Sequence, residues 1–245
     1  MKSTKPLLLT GGFLCLLFLF QSCSKDDSEN SFWPNALVTV KMVDDNSVYL
    51  QLDDKTTLLP VNLTATPFNS KEVRALVNYK EVDKPSGAYN KAVHVNWIDT
   101  IRTKPMVPDL GEKNDAVYGN DPVEIVNDWV TIVEDGYLTL RFRTLWGGDR
   151  GKVHYINLVE SPDPENPYEI EFRHDAAGDL YGRPGDALVA FKLDKLPDTE
   201  GKTVKLKLKW NSFSGKKSVE FDYNSSASSP LQPAVALGRS ELNVK

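Results

Sequence analysis

The chain has 245 residues, 40% of them hydrophobic, with 29 Lys and Arg against 34 Asp and Glu and a formal net charge of −5. That length supports one large or two small domains with cores of their own, and the acidic balance argues against a basic nucleic-acid footprint. With only two cysteines, a disulfide framework and a cysteine-rich zinc site are both excluded.

At the N-terminus, Lys2 and Lys5 precede an apolar run over residues 7–20 that closes on Phe20, Gln21, Ser22 and Cys23. A positive start, an apolar segment shorter than the roughly 20 residues of a membrane span and a small residue before a cysteine read as a lipoprotein signal peptide over 1–22. Cys23 is the expected lipidation site; the alternative is an ordinary thiol behind a conventional cleavage site. Residues 23–34 read as an acidic tether, since Ser24, Lys25, Asp26, Asp27, Ser28, Glu29 and Asn30 bury too little surface to fold. Cys15 leaves with the peptide, so the mature chain of 223 residues keeps one cysteine and forms no internal disulfide; its net charge becomes −7 once Lys2 and Lys5 are removed. The Cys-Ser-Lys-Asp-Asp run also resembles the export signal that sends lipoproteins of Bacteroidota to the outer face of the outer membrane. It implies an outer-membrane protein held by membrane lipid through acylated Cys23 and facing the exterior, two or more acyl chains being what stable anchoring needs.

Beyond the tether the apolar period is two. Alternation over 36–40, 48–52, 73–77 and 93–97, with a further strand at 58–62, predicts five strands separated by turns at Asp44, Asp45 and Asn46, at Asp53 to Lys55 and at Asp83 to Gly87. Five short strands in about 70 residues suit a small OB-like five-stranded barrel, assigned here to 35–107. Its nine basic and eight acidic residues give no electrostatic case for nucleic acid.

Residues 108–120 are polar and turn-rich and read as a linker. Asp121, Pro122 and Glu124 also fit a helix start, but the β-branched run that follows favours strand. Strands are expected at 129–133 and 137–143 around a hairpin turn at Glu134, Asp135 and Gly136, then at 153–159, 168–174, 187–193, 203–210 and 218–223. This is an all-β chain: a barrel, then an antiparallel β-sandwich over 121–223, then a disordered tail over 224–245.

Candidate chemistry is sparse. His94, His154 and His174 lie on strands without ligand spacing, and His154 and His174 share parity with Ile156 and Phe172, which points them inward. Glu169 and Glu171 are expected to pair with Lys205, Lys207, Lys209, Arg141 or Arg143 rather than act as a glycosidase pair. The same lysine row has an alternative as an anion-binding stripe. Asp175, Asp179 and Asp186 offer a weak calcium loop without EF-hand spacing. Neither a metal nor a cofactor is expected. The recognition candidates are Trp146 and Arg150 in a glycine-rich tip and Tyr181 and Arg183 in a second loop, all of hot-spot type; the alternative for Trp146 is an indole folded back over the sandwich.

The residues Ala36 to Lys41, Leu52 to Asp54, Thr57 to Asn62 and Glu72 to Tyr79 resemble the N-terminal domain of the NigD-like lipoproteins of Bacteroidota. Asp121 to Trp129, Tyr137 to Phe142 and Glu169 to His174 resemble their C-terminal domain. The resemblance implies an OB-type barrel followed by a β-sandwich and, through the family's name, a bacteriocin immunity role; it supplies no catalytic or binding residues. The expected function is therefore non-enzymatic recognition of a protein or glycan partner at the envelope, with bacteriocin immunity as its specific form and a carbohydrate- or envelope-binding module as the alternative.

Overall fold

A computed structural model describes residues 32–44, 47–53, 55–63, 72–149 and 151–226. Cys23, Arg150 and the tail from 227 onward lie outside them.

The first domain is built from β1 (Ala36–Asp44), β2 (Ser47–Gln51), β3 (Thr57–Pro60), β4 (Val73–Glu81) and β5 (Lys91–Thr100). They close into a barrel in the order β1-β2-β3-β5-β4, with β4 returning to β1. Alternate residues Val38, Val40, Leu50, Leu58, Val77 and Val93 fill the interior, each 1% exposed or less. The five expected strands are all present; β3 and β5 pair in parallel.

The second domain packs two sheets face to face. One holds β10 (Tyr155–Val159), β11 (Glu169–Asp175), β13 (Val204–Ser212) and β14 (Gly215–Tyr223) in that order. The other runs β6 (Arg102–Pro105), β12 (Gly182–Lys192), β9 (Tyr137–Gly147), β7 (Glu124–Val126), with β8 (Ile132–Glu134) also on β9. Leu138, Leu140, Phe142, Ile156, Phe172, Val189, Phe191 and Leu208 interdigitate between them. The sandwich is mixed in direction, since β11 runs parallel to β13 and β6 parallel to β12. Asp135 and Gly136 have φ of 48° and 75°, the left-handed pair that a two-residue hairpin between β8 and β9 requires.

Beyond the five barrel strands, three boundaries differ from the sequence reading. Residues 102–105, placed with the barrel, form β6 of the sandwich: they carry no apolar alternation, and their position is set by the ladder to β12. Within 108–120, read as linker, a 3₁₀ turn (Gly111–Lys113) leads into α1 (Asn114–Tyr118), tied down by Asn114 side-chain bonds to Leu110 and Asp109 and by the Arg173–Asp115 ion pair. At the start of the expected tail, Thr199 N–H donates to Ser225 Oγ at 3.1 Å and Ser225 N–H to Thr199 Oγ1 at 3.1 Å, so 224–226 belong to the folded unit. The helix start weighed at Asp121 is absent; Glu124 opens β7.

The two domains share an apolar seam. Successive residues of β1 from Ala36 to Val40 and of β4 from Arg74 to Asn78 are all buried, because one face lines the barrel and the other meets the sandwich. Leu37, Leu76 and Ile101 pack there against Trp129, Val130, Ile132, Tyr137, Leu188 and Ala190. At its centre Arg74, fully buried, is ion-paired with Glu134 of β8 and donates to Thr39 Oγ1 at 2.9 Å and Thr139 Oγ1 at 3.4 Å. Lys41 adds a bond to Asp135 at 2.8 Å.

Candidate functional site

Antiparallel pairing of β9 with β12 brings the two glycine-rich loops together at one end of the sandwich, with Trp146 opposite Arg183 and Gly147 opposite Gly182. This end lies ten residues along β9 from Tyr137 at the barrel seam, a rise of roughly 33 Å. The Trp146 indole folds back over Gly185, where a Cβ would fall 1.9 Å from Nε1, and packs half-buried against the sandwich core. The Arg183 guanidinium sits 5.1 Å from the ring centroid, within cation–π range. Tyr181 projects from the adjoining loop, 77% exposed, beside Leu180 at 41%. Trp146, Tyr181 and Arg183 are thus brought together.

Beneath them lies a buried polar chain. Asp179 accepts from the N–H groups of Gly147 at 2.7 Å and Asp149 at 3.0 Å, which fixes the glycine-rich tip. His154 places Nε2 3.4 Å from Asp179 Oδ2 and Nδ1 2.9 Å from His174 Nε2. If His154 donates to the carboxylate, its Nδ1 accepts from His174 Nε2–H and the His174 Nδ1 is left as an acceptor, without a side-chain partner among the described residues. Burial works to raise the Asp179 carboxyl, yet the loop N–H donors and His154 together hold it below the usual carboxylate range. Burial, reinforced by the neighbouring His154, pushes His174 down to about 4. Parity placed both histidines inside, but their partnership with Asp179 was not read from sequence; its only signal was three polar residues flanking loops at one sandwich end.

His174 therefore gives stability a definite pH dependence. Its folded pKa lies below the unfolded value near 6.5, so the unfolded chain binds the extra proton first. The stabilisation is complete above pH 6.5 and drains as pH falls to about 4, a loss of about 3 kcal/mol. Urea unfolding between pH 7 and 4 should show this slope and His174→Asn should flatten it; an equal slope in the variant would assign it elsewhere.

The other candidates resolve into pairs. Glu169 binds both Lys207, at 3.0 Å, and Lys209, as expected, while Lys205 pairs with Asp222 at 2.6 Å, so the lysine row is spent in ion pairs rather than left as an anion stripe. Glu171 pairs with Arg173. Arg141 and Arg143 hold Asp186 instead, and with Asp179 committed to the glycine-rich tip the calcium loop is not assembled. Among the described residues no three His, Cys, Asp or Glu side chains gather to hold a metal. A polar groove of about 620 Å³ crosses the outer face of β11 and β13, lined by Glu169, Glu171, Lys207 and Lys209.

Comparison with known proteins places the chain. The NigD-like N-terminal OB domain matches residues 37–101, and the NigD-like C-terminal beta sandwich domain matches 105–223. The chain belongs to the NigD-like family. Among solved structures, a protein of Parabacteroides distasonis, provisionally named toxin-related, is 39% identical over 78% of this chain and 92% of its own, with a TM-score of 0.66. A NigD-like immunity protein from Bacteroides caccae shares the fold at 23% identity, covering 77% of this chain and 96% of its own, with a TM-score of 0.56. So does a Bacteroides fragilis protein provisionally named a lipoprotein, at 15% identity, 77% and 98% coverage and a TM-score of 0.52. No curated protein matches. The NigD-like architecture agrees with the barrel and sandwich read from strand spacing.

Proposed function

We propose that this NigD-like chain is a non-enzymatic lipoprotein of the outer membrane, anchored through Cys23 and facing the exterior, that recognises a protein partner through the loop end of its sandwich. The observation that carries the reading is the exposed Tyr181 beside the Arg183–Trp146 pair, at a loop end whose glycine-rich tip Asp179 pins, about 33 Å from the barrel seam. Preorganised aromatic and arginine side chains are what binding hot spots are made of. Protein is favoured over glycan because the Trp146 ring is half-buried, packed against the sandwich core and engaged by Arg183, so it does not stand out as a platform for a sugar to stack on. Bacteriocin immunity is the specific form; the names of the Bacteroides caccae immunity protein and the Parabacteroides toxin-related protein support it. Arg150 is assigned to the same surface from sequence.

The experiment deletes the gene, challenges the strain with bacteriocins of neighbouring strains and complements it with variants. Sensitivity should rise on deletion and return with the wild-type gene. Tyr181→Ala and Arg183→Ala should each weaken partner binding by more than about 30-fold, the hot-spot threshold of about 2 kcal/mol, without lowering stability. Unchanged sensitivity together with recovery of a glycan-uptake complex would overturn the immunity reading.

A further inference from the structure

We propose that Phe32 and Trp33 form a second, reversible membrane contact that seats the barrel on the lipid surface to which Cys23 is anchored. The inference rests on the lipidation proposed above and adds a site to it. The sequence reads both residues as the end of an acidic tether, but the backbone here is already part of the barrel. Asn78 Nδ2 donates to the Trp33 carbonyl at 2.6 Å, and the Asn35 side chain brackets Tyr79, donating to its carbonyl at 2.7 Å and accepting from its N–H at 3.1 Å. Pro34 is buried, while Phe32 and Trp33 turn outward, 75% and 48% exposed. Neither ring joins any of the apolar clusters among the described residues.

Two adjacent aromatics turned outward from a pinned backbone leave three-quarters of Phe32 and about half of Trp33 in solvent, and isolated exposed apolar residues are ordinary whereas a pair is less so. Their place along the chain supplies the occupant. Trp33 lies ten positions after Cys23, and a segment of that length has a root-mean-square span of roughly 17 Å as a coil and reaches at most about 34 Å from the acylated cysteine. At the resulting effective concentration, on the order of millimolar, an aromatic pair that would not hold a free protein on a bilayer still partitions as an intramolecular step. Indole suits the headgroup level, with an apolar ring and an N–H that stays hydrated. Lys80, exposed two residues along β4 from Asn78, adds a cation suited to lipid phosphate.

The test reconstitutes the acylated full chain into vesicles of phosphatidylethanolamine and phosphatidylglycerol with acyl chains brominated near the glycerol, and follows tryptophan emission. One indole of the five should be quenched, a loss of about one-fifth of the emission, and Trp33→Phe should abolish it while the variant still floats with the vesicles. Flotation without quenching, or equal quenching in Trp33→Phe, overturns the seating alone. Failure of the wild-type chain to float, or flotation unchanged in Cys23→Ser, overturns the anchor and the seating with it.

Discussion

Replacing Arg74 with alanine is expected to destabilise the protein by about 3–5 kcal/mol, the cost of removing one partner from a buried ion pair. Arg74 is fully buried at the seam, and its guanidinium serves Glu134, Thr39 and Thr139 at once. Without it, the Glu134 carboxylate of the sandwich faces an apolar interface formed by Leu37, Leu76, Ile132 and Tyr137 with no countercharge. The loss should appear as earlier urea unfolding and as separation of one transition into two, since the seam couples barrel to sandwich. Arg74→Met combined with Glu134→Leu should recover most of it, because well-packed apolar replacement of a buried pair is often neutral. A single-variant loss below about 1 kcal/mol would place the seam's stability in its apolar contacts alone.

The second large effect is expected at Gly182. Its φ is 122°, which side-chain-bearing residues rarely adopt, and an added Cβ would lie 2.3 Å from the Trp146 carbonyl oxygen and 2.8 Å from the Gly148 nitrogen. Both are backbone atoms, Trp146 held in the β9–β12 ladder and the Gly148 N–H bonded to the Tyr181 carbonyl at 3.1 Å, so neither can swing aside as a flexible side chain would. Gly182→Ala should therefore cost about 2–5 kcal/mol, from backbone strain and overpacking together, and unpair the last rungs of that ladder. Arg183 would leave the Trp146 ring, and partner binding should fall with barrel and seam intact. Amide exchange should show the change confined to 144–149 and 179–185. Normal protection there would mean that the loops tolerate the methyl group.

These two sites also show what the sequence did and did not disclose. Barrel and sandwich strands were legible wherever burial on one face imposes alternation, as in Val204 to Trp210, where Lys205, Lys207 and Lys209 alternate with Leu206, Leu208 and Trp210. The short β6 and β7 were not, since pairing to β12 and β9 defines them and their side chains carry no pattern. The two loops at the sandwich end stood out by glycine and aromatic composition, but whether Trp146 projected or folded back depended on Gly185, thirty-nine positions away in the chain and nearly opposite in register. Arg74 went unread as a seam residue. The available signal was that its strand is apolar at an outward position too, Leu76, as is β1 at Leu37; two strands apolar on both faces announce a second packing partner.

Recognition of a protein partner by the loop end is tested by site-specific photocrosslinking of the acylated protein on intact cells. A photoreactive aromatic replaces Tyr181, and in a parallel strain Lys205 on the outer face of β13. Position 181 should yield a discrete protein adduct that Arg183→Ala diminishes, with none from position 205. The same adducts from both positions, or none from 181 in cells whose bacteriocin sensitivity depends on the gene, would contradict it.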